Sequence, residues 1–152
     1  MLGRYLGVGL LLLAGSGTAA LAAEHGHGPQ YITDAAPGAP APPFSEGIMV
    51  GRTFYLAGHI GTDPATNRAP ADTAHEVHLA LDSIRQTLGQ AGLTMDDLVS
   101  VTVFCTDLKL YDTFNGIYRT YFHGHYPTRA FIGVADLVRG AHFEIEGVAV
   151  KR

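Results

Sequence analysis

Among the residues able to do ionic or acid–base chemistry, the candidates are Arg129, the Glu144/Glu146 pair and His59. Arg129 follows Pro127 and opens an apolar stretch, Ala130-Phe131-Ile132. A guanidinium held there presents a rigid fork of donors that matches a carboxylate bidentately. Glu144 and Glu146 stand two apart in a strand-like run, so they share a face. A carboxylate on such a face can act as a general acid or base, and the spacing does not choose between the two. His59 sits between Gly58 and Gly61, and an imidazole that titrates near neutrality can serve as acid or base. A hydrogen-bonded loop histidine is the other reading of that position, and the sequence leaves both open. His75 and His78 lie one helical turn apart, and His123 and His125 flank Gly124. Such pairs can enter zinc sites, but neither has a third ligand nearby, so both read as solvated or packing histidines. No metal site is expected from these pairs.

These groups need elements to hold them. Ile48 and Val50, then Phe54-Tyr55-Leu56, predict two strands joined by a turn at Gly51-Arg52. Ala74, Val77, Leu81, Ile84, Leu88 and Ala91 recur at spacings of three and four, which predicts a helix capped by Asp72 or Thr73 and stopped at Gly92. Residues 94–98 read as a short turn. The β-branched run Val99 to Thr106 predicts a strand with Val99, Val101, Val103 and Cys105 on one face. A second helix is expected over Tyr111 to Phe122, with Phe114, Ile117, Tyr118 and Tyr121 inward. Strands at Arg129–Ala135 and Phe143–Val150 follow, separated by a turn at Arg139-Gly140. The order ββαβαββ predicts an α+β domain with two helices on one face of a mixed sheet. A chain of 152 residues has nothing left to cover the other face, so self-association is expected.

Hydrophobic content of 47% with 16% charged residues fits one globular domain. A net charge of −4, without a Lys/Arg cluster, argues against a nucleic-acid partner. At the N-terminus, Arg4, an apolar run over 6–14 and Ala20-Leu21-Ala22 form the three regions of a secretory signal peptide. The run is short for a membrane span, and the alternative is an uncleaved anchor. The expected organisation is a leader over 1–22, a flexible Gly/Pro/Ala-rich lead-in over 23–43 and a domain over 44–152, secreted or periplasmic, with no stable membrane span after cleavage. Cleavage after Ala22 would expose Ala23-Glu24-His25, an arrangement able to wrap Cu(II) or Ni(II), although a solvated terminus is the plainer reading. Cys105 excludes an internal disulfide and is expected to be buried in its strand.

Six segments occur in the order of a known family: Pro43-Phe44-Ser45-Glu46, Leu56-Ala57-Gly58-His59-Ile60-Gly61, Val101 to Leu108, Phe114-Asn115-Gly116-Ile117-Tyr118, Pro127-Thr128-Arg129 and Glu144 to Val150. From about residue 31 onward the chain resembles the Rid (YjgF-type) family. The resemblance implies a chorismate mutase-like domain, a homotrimer with clefts between subunits, and cofactor-free hydrolysis of reactive enamines and imines to 2-oxo acids and ammonia. It also implies that Arg129 binds the substrate carboxylate, that Glu144 faces the cleft, and that Asn115, Gly58, Phe44 and Phe131 border the substrate. Glu146 is left facing solvent.

The sequence departs from the family where Phe44 replaces the usual Tyr, Ala57 a Ser, Phe131 a small residue such as Cys, and His59 a frequent Gln. Two hydroxyls are lost and a ring is gained, which implies a more apolar or differently shaped ligand. The expected function is hydrolytic deamination of 2-imino or enamino acids, with Glu144 and His59 as catalytic groups. The alternative is a non-catalytic trimer that binds small carboxylates such as 2-oxo acids, or a chaperone-like protein.

Overall fold

The computed structural model describes residues 28–33 and 42–152. The expected leader, the Ala23-Glu24-His25 site and most of the lead-in lie outside the described residues. Six strands and two helices follow in the order β1 (Gln30–Ile32), β2 (Gly47–Val50), β3 (Thr53–Ile60), α1 (Thr73–Gln90), β4 (Leu98–Cys105), α2 (Tyr111–Tyr118), β5 (Thr128–Gly133) and β6 (Phe143–Val150). They form one mixed sheet in the order β1-β2-β3-β6-β4-β5, in which only β4 and β5 run parallel. Both helices pack on one face, as the α+β reading requires. Among the described residues no helix is long and apolar enough to cross a membrane.

The local signals act as expected in most elements. Asp72 caps α1 by accepting from the N–H groups of Ala74 and His75. Gly92, at φ +70°, ends the helix in the left-handed conformation that glycine adopts without cost. Val77, Leu81, Ile84 and Leu88 meet Phe54, Val103, Phe143 and Ile145 in one core beneath the helices. The turn after α1 tightens into a 3-10 segment over Met95–Asp97, where the Asp97 carboxylate accepts from the Thr94 N–H and hydroxyl.

Some expectations need correction. β1 has no counterpart among the expected elements; it pairs antiparallel with β2 inside the stretch read as lead-in. The second helix ends at Tyr118, and Arg119–Tyr121 continues as a 3-10 turn. The strand expected at Arg129–Ala135 spans Thr128–Gly133. Val99 does not join the inward face of β4. Against β6, Leu98 pairs with Ala149 and Ser100 with Val148, so Val99 is the extra residue of a bulge. Leu98 turns inward in its place and Val99 is exposed.

A second bulge positions the chemistry. Along the β3–β6 ladder Leu56 pairs with Gly147 and His59 with Ile145, which leaves one surplus residue at Ala57-Gly58. Leu56 and His59 therefore both point to the helix side although they are three apart. The β2–β3 ladder stops at the Gly47–Leu56 pair, so β3 beyond Ala57 has a free edge.

The open face of the sheet carries Tyr31, Ile48, Tyr55 and Val148 in one row across β1, β2, β3 and β6. Tyr31 and Tyr55 are 62% and 53% exposed, so nothing in the described chain covers this row.

Candidate active site

Arg129 emerges near the start of edge strand β5 and turns toward α2. Four aromatic rings surround its guanidinium: Tyr118 at 4.8 Å, Phe131 at 5.7 Å, and Tyr111 and Phe114 at 5.8 Å each. Phe131 meets Tyr111 and Phe114 edge-on. Ring faces attract the cation, so the cage fixes its plane without neutralising it. Nη2 donates to Oδ1 of Asn115 at 2.8 Å, the only side-chain hydrogen bond to Arg129 among the described residues. The remaining donors border a cleft of about 420 Å³ lined by Asn115, Tyr118, Arg119, Tyr126, Pro127 and Arg129. Tyr118 is 5% exposed, and its hydroxyl has no hydrogen-bond partner among the described residues. Burial pushes this phenol up to about 12, partly offset by the charge of Arg129.

Glu144 occupies a different cleft, of about 600 Å³, at the free edge of β3. Its walls include Phe44, Ala57, Gly58, His59, Ser83 and Glu144. The Glu144 carboxylate lies directly over Gly58: a Cβ there would collide with Oε1 and come within 3.0 Å of the carboxyl carbon. Gly58 thus makes room for the carboxylate. Glu146, on the same face of β6, does not line this cleft and borders a separate depression with Tyr55 and Thr102.

His59 is a strand residue, not a loop residue, and is 4% exposed. Its Nδ1 lies 2.9 Å from the Ser83 hydroxyl on α1, and its Nε2 lies 3.7 Å from Oε2 of Glu46.

A family model described as Endoribonuclease L-PSP matches residues 33–151. The 2-iminobutanoate/2-iminopropanoate deaminase of Mus musculus is 38% identical over 110 residues, covering 72% of this chain and 82% of that protein. The Homo sapiens protein of the same name is 38% identical over 120 residues, covering 78% and 87%. The crystal structure of E. coli TdcF with bound serine superposes with a TM-score of 0.72 at 34% identity, covering 81% of this chain and all of that one. The chain belongs to the Rid (YjgF-type) family.

Within this Rid chain the residues implied by the resemblance fall into two groups. Phe44, Gly58, His59 and Glu144 share one cleft; Arg129 and Asn115 share the other. No residue lines both. Phe131 borders neither cleft and instead supports the guanidinium. The sequence reading also missed three contributors. Ser83 and Glu46 reach His59 from other elements, and Tyr118 was read only as an apolar helix residue. Ser83 is 24 residues from His59, so no local spacing could flag the pair. Within the two histidine pairs, His78 contacts the Tyr121 hydroxyl at 3.0 Å, and His123 lies 3.5 Å from Asp96. Among the described residues there is no cluster of three or more metal-ligating side chains. Cys105 is fully buried, and burial raises its thiol pKa.

Proposed function

We propose that this Rid protein hydrolyses 2-imino acids to 2-oxo acids and ammonia, in clefts that form where the Arg129 edge of one copy meets the Glu144 edge of the next in a homotrimer. The observation that carries this reading is the division of labour in one chain. A caged guanidinium is ready for a carboxylate, and a carboxylate seated over Gly58 can activate water, but they lie in separate clefts. The names of relatives at 38% identity support the reaction class. The uncovered row from Tyr31 to Val148 supports assembly, since contiguous exposed apolar side chains favour association.

In this reading Arg129 takes the substrate carboxylate, while Asn115 and the ring cage hold the guanidinium plane. Glu144 accepts a proton from water as its oxygen bonds to the imine carbon. A net charge of −4 without a Lys/Arg cluster in the sequence argues against RNA as the substrate. Export is part of the same proposal and rests on the leader pattern of residues 1–22; mass spectrometry of the exported protein should find its N-terminus near residue 23.

The test generates imines in situ from a panel of amino acids with an amino-acid oxidase and follows semicarbazone trapping. The protein should speed imine loss, and Arg129→Ala and Glu144→Gln should each abolish the effect. No acceleration with any amino acid would overturn the deaminase reading; retained 2-oxo acid binding that depends on Arg129 would then favour a carboxylate binder.

A further inference from the structure

The Glu144 cleft contains a hydroxyl that the sequence did not reveal. Ala57 stands where a serine would put one, yet Ser83 reaches the same cleft from α1. Its oxygen lies 2.9 Å from Nδ1 of His59, whose Nε2 faces Glu46 at 3.7 Å. The bulge at Ala57-Gly58 turns the imidazole toward α1 and makes this alignment. The result is a line from a carboxylate, through a buried imidazole, to a hydroxyl at the wall of a cleft whose other charged groups are Glu144 and Arg139.

We propose that Ser83 and His59 form a proton relay into the Glu144 cleft, with Ser83 as the catalytic group facing the substrate nitrogen and His59 as the positioning residue behind it. The proposal rests on the deaminase reading above and deepens it. Water adds to the imine carbon, the C=N π pair moves to nitrogen, and Glu144 takes the water proton. Ser83 protonates that nitrogen and is refilled from Nδ1 of the His59 imidazolium, while Nε2–H stays beside Glu46. In the second half Glu144 returns its proton to the amine and the C–N bond breaks with its pair on nitrogen. The hydroxyl proton of the carbinolamine passes through Ser83 back to His59. One water is consumed, one ammonia leaves, and Glu144, Ser83 and His59 all regain their starting protonation.

Without Ser83, the nitrogen would have no proton donor from this relay while Glu144 is taking the water proton. A positioned acid contributes about 100-fold or more. A hydroxyl that merely satisfied a buried imidazole would matter for stability and not for turnover.

The experiment compares the full-length mature protein with Ser83→Ala, Ser83→Thr, His59→Gln and the Ser83→Ala/His59→Gln double variant in the imine-trapping assay, with thermal unfolding recorded for each. Alanine is a good helix former, so Ser83→Ala should keep the fold. Ser83→Ala should lower kcat by about 100-fold with KM changed less than about twofold. Ser83→Thr should recover most of the rate. The double variant should be no slower than the worse single one, since the pair acts as a unit. An active parent with Ser83→Ala within about twofold of it, or losses that multiply in the double variant, would overturn the relay and leave the deaminase reading intact. An inactive parent would remove both.

Discussion

At Arg129 the aromatic cage explains why arginine in particular is suited to the position. The guanidinium lies near four rings and gives Asn115 a single donor, so the rest of its fork is presented as a plane. Lysine would keep the charge and lose the plane, the stacking and the second parallel bond. Arg129→Lys should therefore lower kcat/KM by about 10- to 100-fold, the equivalent of about 1.5–3 kcal/mol for a charged hydrogen bond. Most of the loss should appear in KM, and steady-state kinetics would show it. The neighbouring Tyr118 hydroxyl is the buried polar atom with the least evident structural use. Leaving such a group unpaired costs about 1–3 kcal/mol. Tyr118→Phe should raise stability in urea by about 1 kcal/mol. A fall in carboxylate affinity alongside that gain would assign the hydroxyl to the ligand, whereas a fall in stability would mean that it has a partner after all.

Among the elements, α1 and β6 are joined by a contact that the helical pattern hides. Glu76 is fully buried on the face that otherwise reads Val77, Leu81 and Ile84. Its carboxylate accepts from the backbone N–H groups of His142 and Phe143, at 2.6 and 3.0 Å, and lies 2.7 Å from the His142 ring. It thereby caps the start of β6 just before Glu144. Glu76→Ala would strand two buried donors and leave a void, so it should destabilise the fold by about 3 kcal/mol. Glu76→Gln keeps the volume and one acceptor and should lose less than half as much, which chemical denaturation can resolve. Periodicity makes apolar contacts legible, and α1, β4 and β6 were readable for that reason. It says nothing about a buried carboxylate, because Glu76 looks like any solvated helix residue until its partners are known. The Val99 error has the same origin: alternation counts residues, and a bulge inserts one without changing composition. β1 was illegible because three residues, Gln-Tyr-Ile, become a strand only through β2. Of the candidate site, Arg129, Asn115, Gly58, Phe44 and Glu144 were proposed with the help of the resemblance and His59 from its own chemistry at a departure from it, whereas Ser83 and Glu46 come to His59 only through tertiary structure.

For the whole molecule, the described chain holds Arg129 and Glu144 in separate clefts, and the proposed trimer would bring them together. If each working cleft takes Arg129 from one copy and Glu144 from its neighbour, inactive chains should complement one another. Arg129→Ala and Glu144→Gln chains, each inactive alone, would be co-expressed in equal amounts and purified as mixed assemblies. A cleft is intact when its arginine comes from a Glu144→Gln copy and its glutamate from an Arg129→Ala copy, which random mixing makes true of about one quarter of clefts. Activity should return to about that fraction of the parent. If one chain supplied both groups to its own cleft, every cleft in the mixture would lack one of them and no activity would return. Sedimentation of the parent should give three times the chain mass, and Tyr55→Glu, which buries a charge in the apolar row, should lower both that mass and the rate. A monomeric parent with full activity would contradict the shared cleft directly, because Arg129 and Glu144 would then have to meet within a chain whose folded form holds them in separate clefts.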